Sequence, residues 1–109
     1  MTAQQNRKIK ISDYLRAGKK NARTARELAQ VFNCDMRDIS ARIEKERRQG
    51  APICASCDSR RPGYYLAETS EELQEYCRTL HNRAGQIYLT RRELLKAAKK
   101  LPAREKQEA

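Results

Sequence analysis

Two helix-start signals, at Thr24 and Asp35, constrain this chain more than any other feature of its sequence. Thr24 stands three residues before Glu27 in T-A-R-E. That is the spacing of a capping box, in which hydroxyl and carboxylate each accept from the other residue's backbone N–H. Leu28, Ala29 and Phe32 then follow at helical spacing, with Val31 on the flank. Asn33-Cys34 interrupts the pattern. Asp35 starts a second helix running from Met36 to about Gln49, with Asp38 as a weak box partner. Met36, Ile39 and Ile43 recur three and four residues apart and define its inner face, and Gly50 stops it. Two helices joined by so short a connection bury their apolar faces by crossing in a helix-turn-helix. Ala29 is the small residue expected at the crossing, and Ile39 and Ile43 anchor the second helix on the core.

The flanking segments complete a small α+β pattern. Ile9, Ile11, Tyr14, Leu15 and Ala17 predict a short amphipathic helix ended by Gly18, followed by a basic connector, Lys19 to Arg23. After Pro52, Ile53-Cys54-Ala55-Ser56 is a strand candidate. Asp58 to Gly63 is a turn-rich basic loop and Tyr64 to Ala67 a second strand, so the pair reads as a hairpin. Thr69 or Ser70 caps a final helix. Glu71, Glu72 and Glu75 sit at its positive end and Lys96, Lys99 and Lys100 near its negative end, both favoured by the macrodipole. Ala84-Gly85 is a candidate break in this helix, and Pro102 ends it. The expected fold is mainly α with a small β-hairpin and a long C-terminal helix. Residues 1–8 are expected to form a flexible N-terminus, 9–67 the compact domain, 68–102 a helical dimerisation segment and 103–109 a disordered tail.

Charge narrows the function. Across 109 residues, 24 Lys and Arg against 14 Asp and Glu leave +10, a balance that points to a polyanionic partner such as nucleic acid. The excess sits early: residues 1–34 carry eight basic and two acidic residues. Enzyme chemistry is poorly supplied. His81 is the one histidine, and the four glycines form neither a dinucleotide fingerprint nor a phosphate loop. No apolar run approaches the roughly 20 residues of a membrane span, and the N-terminus has no signal-type stretch, so a cytoplasmic, nucleoid-associated protein is expected.

The run R-E-L-A-Q-V-F-N-C-D-M-R-D-I-S-A-R-I-E-K-E-R-R-Q-G-A-P-I, with the strand G-Y-Y-L-A, resembles a winged helix-turn-helix. It is most similar to the DNA-binding domain of biotin-repressor type. There the recognition helix also ends in basic residues, then Gly and an apolar-Pro-Ile-like strand. The likeness covers about residues 9–67, and similar small proteins are familiar from prophage and mobile elements. No ligase or effector domain follows, so effector sensing of that kind is not implied. The resemblance makes the second helix the recognition helix and Arg60-Arg61 the tip of a wing. With Met36, Ile39 and Ile43 inward, the opposite face carries Arg37, Ala41, Lys45 and Arg48, flanked by Asp38 and Glu44; Ser40 is counted with the DNA-contacting residues. Arg37 is the candidate base reader, because arginine pairs bidentately with guanine. Lys45, Arg48 and Lys20 are placed at phosphates, and Thr24 with the amide groups at its helix start at another. Arg60 and Arg61 are placed in the minor groove or on the backbone. A solvated basic face is the plainer alternative, since Asp38, Glu44 and Glu46 dilute the helix. The expected function is sequence-specific double-stranded DNA binding by a small homodimeric transcriptional regulator of prophage or mobile-element type. The alternatives are an architectural accessory factor, excisionase-like or replication-associated, and a phage-type inhibitor that uses a winged fold against a host or phage protein. RNA binding is disfavoured, because Phe32 is core-like and the tyrosines form no stacking platform.

Cys54-x-x-Cys57 lacks a second paired half; Cys34, Cys77 and His81 are its only conceivable partners. No metal and no cofactor are expected. In the last helix Leu73, Cys77, Leu80, Ala84, Ile87 and Leu94 recur in alternating steps of four and three through Arg91, and the alternation continues to Ala98 and Leu101. This heptad seam is assigned to a homodimer, with purely intramolecular packing as the alternative. Tyr76, Leu89 and Leu95 lie off it.

Overall fold

The computed structural model describes residues 9–56 and 58–104. The expectations for residues 1–8, Cys57 and residues 105–109 lie outside the described residues. The chain divides into two units, residues 1–76 and 77–109. The first contains α1 (Ile11–Tyr14), a 3-10 turn (Lys19–Asn21), α2 (Ala25–Phe32), α3 (Met36–Arg48), β1 (Ile53–Ser56), β2 (Gly63–Leu66) and the start of α4 (Ser70–Ala98). The rest of α4 forms the second unit. The protein is therefore mainly helical, with one antiparallel hairpin and a long C-terminal helix. No helix among the described residues is long and apolar enough to cross a membrane.

Both central caps form as the sequence indicates. The Thr24 hydroxyl accepts from Glu27 N–H at 3.1 Å, and the Glu27 carboxylate accepts from Thr24 N–H at 3.1 Å. Asp35 accepts from Asp38 N–H at 2.8 Å and starts α3. Between them Asn33 takes the left-handed conformation, φ 53°, which asparagine tolerates better than most residues. Cys34 N–H donates to the Ala29 carbonyl at 3.0 Å and closes α2. The core joins Ile11 and Leu15 from the α1 region, Leu28 and Phe32 from α2, Ile39 and Ile43 from α3, and Ile53 from β1.

The Thr24–Glu27 box yields a direct test. Hydrogen bonding to the Thr24 backbone N–H, and then to its hydroxyl and to Arg23, holds the Glu27 carboxyl below its ordinary value of 4.5. A lowered folded-state value means the stabilisation is complete above the unfolded value and is lost as pH falls through the folded one. Thr24→Ala is expected to cost about 1 kcal/mol at pH 7. Glu27→Gln is expected to cost less, and its difference from the parent protein should shrink and vanish as the pH of unfolding titrations falls through the lowered folded-state value of Glu27. A pH-independent difference would show that the carboxylate charge contributes nothing to the cap.

Several local expectations are corrected by the packing. The helix expected over Ile9–Ala17 is only the four residues of α1. Ala17 instead forms a parallel bridge with Leu66, and Arg23 an antiparallel bridge with Tyr64. The connector is thus pulled out of helix by the free edge of β2, which offers partners for its backbone groups. Gly18, at φ 98°, caps the 3-10 turn rather than ending a helix. Met36 is not on the core face: as the first residue of α3 it is 48% exposed. β2 begins one residue earlier than expected, at Gly63. α4 runs through Ala84-Gly85 without a break and ends at Ala98, before three i→i+3 bonds carry the turn to Leu101.

The inner face of α3 is completed by a carboxylate. Glu46 is 7% exposed and accepts from Ile11 N–H and Ser12 N–H, both at 2.8 Å. These are donors at the start of α1 that a four-residue helix cannot satisfy itself. Arg47 ties four elements together. Its guanidinium donates to the Ile53 carbonyl at 2.9 Å and the Tyr76 hydroxyl at 3.0 Å, and lies over the Tyr64 and Tyr76 rings. Arg42 donates to the Ile9 carbonyl at 2.9 Å and covers the Phe32 ring, 4.7 Å from its centroid.

Thr69 immediately precedes α4, and its hydroxyl accepts from Glu72 N–H at 3.1 Å, while the Glu72 carboxylate accepts from Glu68 N–H at 2.7 Å. No residue of α4 is buried.

Candidate nucleic-acid interface

The outward face of α3 follows from its buried one. With Ile39, Ile43 and Glu46 inward, a rotation of about 100° per residue brings Arg37, Ala41 and Arg48 to the opposite side, with Lys45, Ser40 and Glu44 beside them. All six are exposed. The side chains of Arg37, Lys45 and Arg48 make no hydrogen bond or ion pair with any other described residue. Glu44 reaches the Arg47 guanidinium at 3.8 Å, which directs part of its charge sideways.

The second group of cations is assembled by the loop between the strands. The Asp58 carboxylate accepts from Arg60 N–H at 2.9 Å and its carbonyl from Arg61 N–H at 3.1 Å, the arrangement of an aspartate-stabilised turn. Lys19 lies 3.9 Å from the same carboxylate. The Arg61 guanidinium donates to the Lys20 carbonyl at 3.3 Å. The loop tip and the 3-10 turn therefore form one basic patch around Lys19, Lys20, Arg60 and Arg61. Among the described residues no hydrogen bond or ion pair joins this patch to the α3 face.

Thr24 stands apart from both. Its hydroxyl and backbone N–H are engaged with Glu27, whose carboxyl is held ionised, so the start of α2 already carries an anion. Arg23 is drawn to Glu27 at 3.4 Å and lies over the Tyr14 ring. A phosphate at this helix start would have to compete with that carboxylate.

Sequence reasoning missed that the cations of α3 divide into two classes. Arg42 and Arg47 are half-buried and hold the fold, whereas Arg37, Lys45 and Arg48 point away from it. The signal was the step from Ile43 to Glu46, which continues the 39–43 spacing and places the carboxylate inward. Cys54 is buried in β1, where it pairs across the ladder with Tyr65, while Cys34 is half-buried and Cys77 exposed. Burial, followed by the Cys54 thiol, pushes the Tyr65 hydroxyl above its ordinary value of 10.0. Among the described residues no three His, Cys, Asp or Glu side chains converge as a ligand set for a metal.

Of the seam residues on α4, Leu73 is half-buried, and Cys77, Leu80, Ala84, Ile87 and Leu94 are exposed. Compared with protein-family models, with curated proteins and with solved structures, the chain matches none of them.

Proposed function

We propose that the first unit binds double-stranded DNA sequence-specifically in the manner of a winged helix-turn-helix, as a small transcriptional regulator. The observation that carries this reading is the sorting of cations on α3. Those facing inward are consumed by aromatic rings and carbonyls, while Arg37, Lys45 and Arg48 have no partner among the described residues and share one side. Cations kept free of intramolecular pairing are available to polyanions. In this reading α3 enters the major groove, Arg37 reads a guanine edge, and Lys45 and Arg48 meet phosphates. The hairpin acts as a wing that carries Arg60 and Arg61, with Lys20 beside them, to the backbone or minor groove.

Five cations at phosphates imply a log–log slope of binding against salt of about −4.5. Arg37→Ala is expected to cost about 1–3 kcal/mol on the preferred site and to relax preference at one base pair. Arg60→Ala and Arg61→Ala should weaken all duplexes alike. The measurement is selection of sites from random duplexes, followed by titration of a labelled duplex at several salt concentrations. An absence of duplex binding at low salt, or an Arg37→Ala variant with affinity and base preference intact, overturns the reading.

A further inference from the structure

α4 carries an unpartnered apolar stripe whose sequence of sizes and charges specifies what covers it. Leu80, Ile87 and Leu94 are 37%, 63% and 65% exposed. A single helix without tertiary packing is marginal in water, and so continuous a stripe left open promotes association.

The seam alternates in size. Positions 73, 80, 87 and 94 hold Leu or Ile, and positions 77, 84 and 98 hold Cys or Ala, with Arg at 91. In a parallel, in-register pair each residue would face its own copy. Leu80 on Leu80 would then hold the helices apart exactly where Ala84 on Ala84 needs them close, and Arg91 would face Arg91. Interiors do not tolerate alternating gaps and crowding. In an antiparallel pair centred between Gly85 and Gln86 the layers match. Ala84 faces Ile87, Cys77 faces Leu94 and Ala98 faces Leu73, one large and one small residue each time. Arg91 faces Leu80, along which its aliphatic stem can lie while the guanidinium reaches water.

Charge favours the same orientation. Residues 68–76 contain four Glu and no basic residue, whereas residues 77–104 contain eight Lys or Arg and one Glu. Antiparallel pairing sets Glu71, Glu72 and Glu75 of one copy alongside Lys100, Lys99 and Lys96 of the other. Parallel pairing sets the basic stretch against itself throughout. Opposed macrodipoles add in the same direction.

We infer that the occupant of this face is a second copy of the chain, with the two α4 helices antiparallel and Cys77 of each packed against Leu94 of the other. The inference rests on α4 and not on DNA binding, so its test omits DNA. Sedimentation equilibrium of the full chain at tens of micromolar is expected to give a dimer, and the Leu80→Glu, Ile87→Glu variant a monomer over the same range, with reduced helical content where α4 loses its partner. Orientation is read by mild oxidation in a Cys34→Ser, Cys57→Ser background that keeps buried Cys54. With Leu94→Cys added, peptide mapping should find a disulfide between Cys77 of one copy and the thiol introduced at position 94 of the other. With Leu94 retained, no Cys77–Cys77 disulfide should form. A wild-type monomer, a Cys77–Cys77 crosslink, or a dimer that fails to crosslink through position 94 overturns the proposal.

Discussion

Gly63→Ala is expected to destabilise the first unit by about 3–4 kcal/mol. Gly63 sits at φ 120°, and a Cβ there would overlap the Arg23 carbonyl and come within 2.8 Å of Thr24 N. The neighbour is backbone, so no side chain can swing aside. Relief would require opening the Arg23–Tyr64 pair, whose N–H groups donate to each other's carbonyls at 2.8 and 2.7 Å. Each such bond is worth about 1 kcal/mol, and the backbone strain of a left-handed alanine adds about 1–2 kcal/mol. Against the 5–15 kcal/mol that stabilises an ordinary domain, this is a large fraction. Gly50→Ala is the control. Gly50 is also left-handed, at φ 103°, but nothing lies within 4 Å of its added Cβ, so only the strain of about 1–2 kcal/mol should appear. Chemical denaturation of both variants measures the difference. Equal losses would mean that the close approach of β2 to the Arg23–Thr24 backbone does not constrain position 63.

Glu46→Ala is the second large effect, expected at about 3 kcal/mol. The substitution removes a carboxylate that accepts two N–H donors from a buried site. Hydrogen bonds to charged groups contribute about 1.5–3 kcal/mol each, and the orphaned donors then carry their own desolvation cost. α1 is too short to form alone, so Ile11 and Leu15, both in the core, lose the anchor that positions them. Glu46→Gln should recover about half of the loss, because its amide offers one acceptor oxygen where the carboxylate offers two. Urea unfolding gives the magnitudes, and amide hydrogen exchange at Ile11 and Ser12 gives the location. Exchange that stays slow at both amides in Glu46→Ala would show that other groups hold α1.

How much of this was legible in advance differs by element. The caps at Thr24 and Asp35 are legible because a capping side chain and the N–H it accepts from lie three residues apart, whereas the last helix offers both Thr69 and Ser70 and the structure uses Thr69. The inner face of α3 was read from Ile39 and Ile43, yet Met36 was misassigned. Periodicity gives the angle of a side chain about the helix axis but not whether the core extends to that end. Sequence shows the connector from Ala17 to Arg23 only as basic, because its conformation comes from pairing with Leu66 and Tyr64, more than forty positions later. The outward face that holds Arg37, Ser40, Lys45 and Arg48 followed from the wheel. That Arg42 and Arg47 belong to the fold did not, since composition counts all arginines alike.

The sequence by itself determined where α2 and α3 start, which strands pair and the alternating seam along α4, all of which depend on residue type and on spacings short enough for neighbours in the chain to interact. The tertiary structure alone decided that Glu46 caps α1, that Gly63 must lack a Cβ, and which cations remain free to meet a polyanion. Each of these depends on a donor, a backbone or a ring brought close from a distant part of the chain, and such proximity is a property of the packed core that no local pattern encodes.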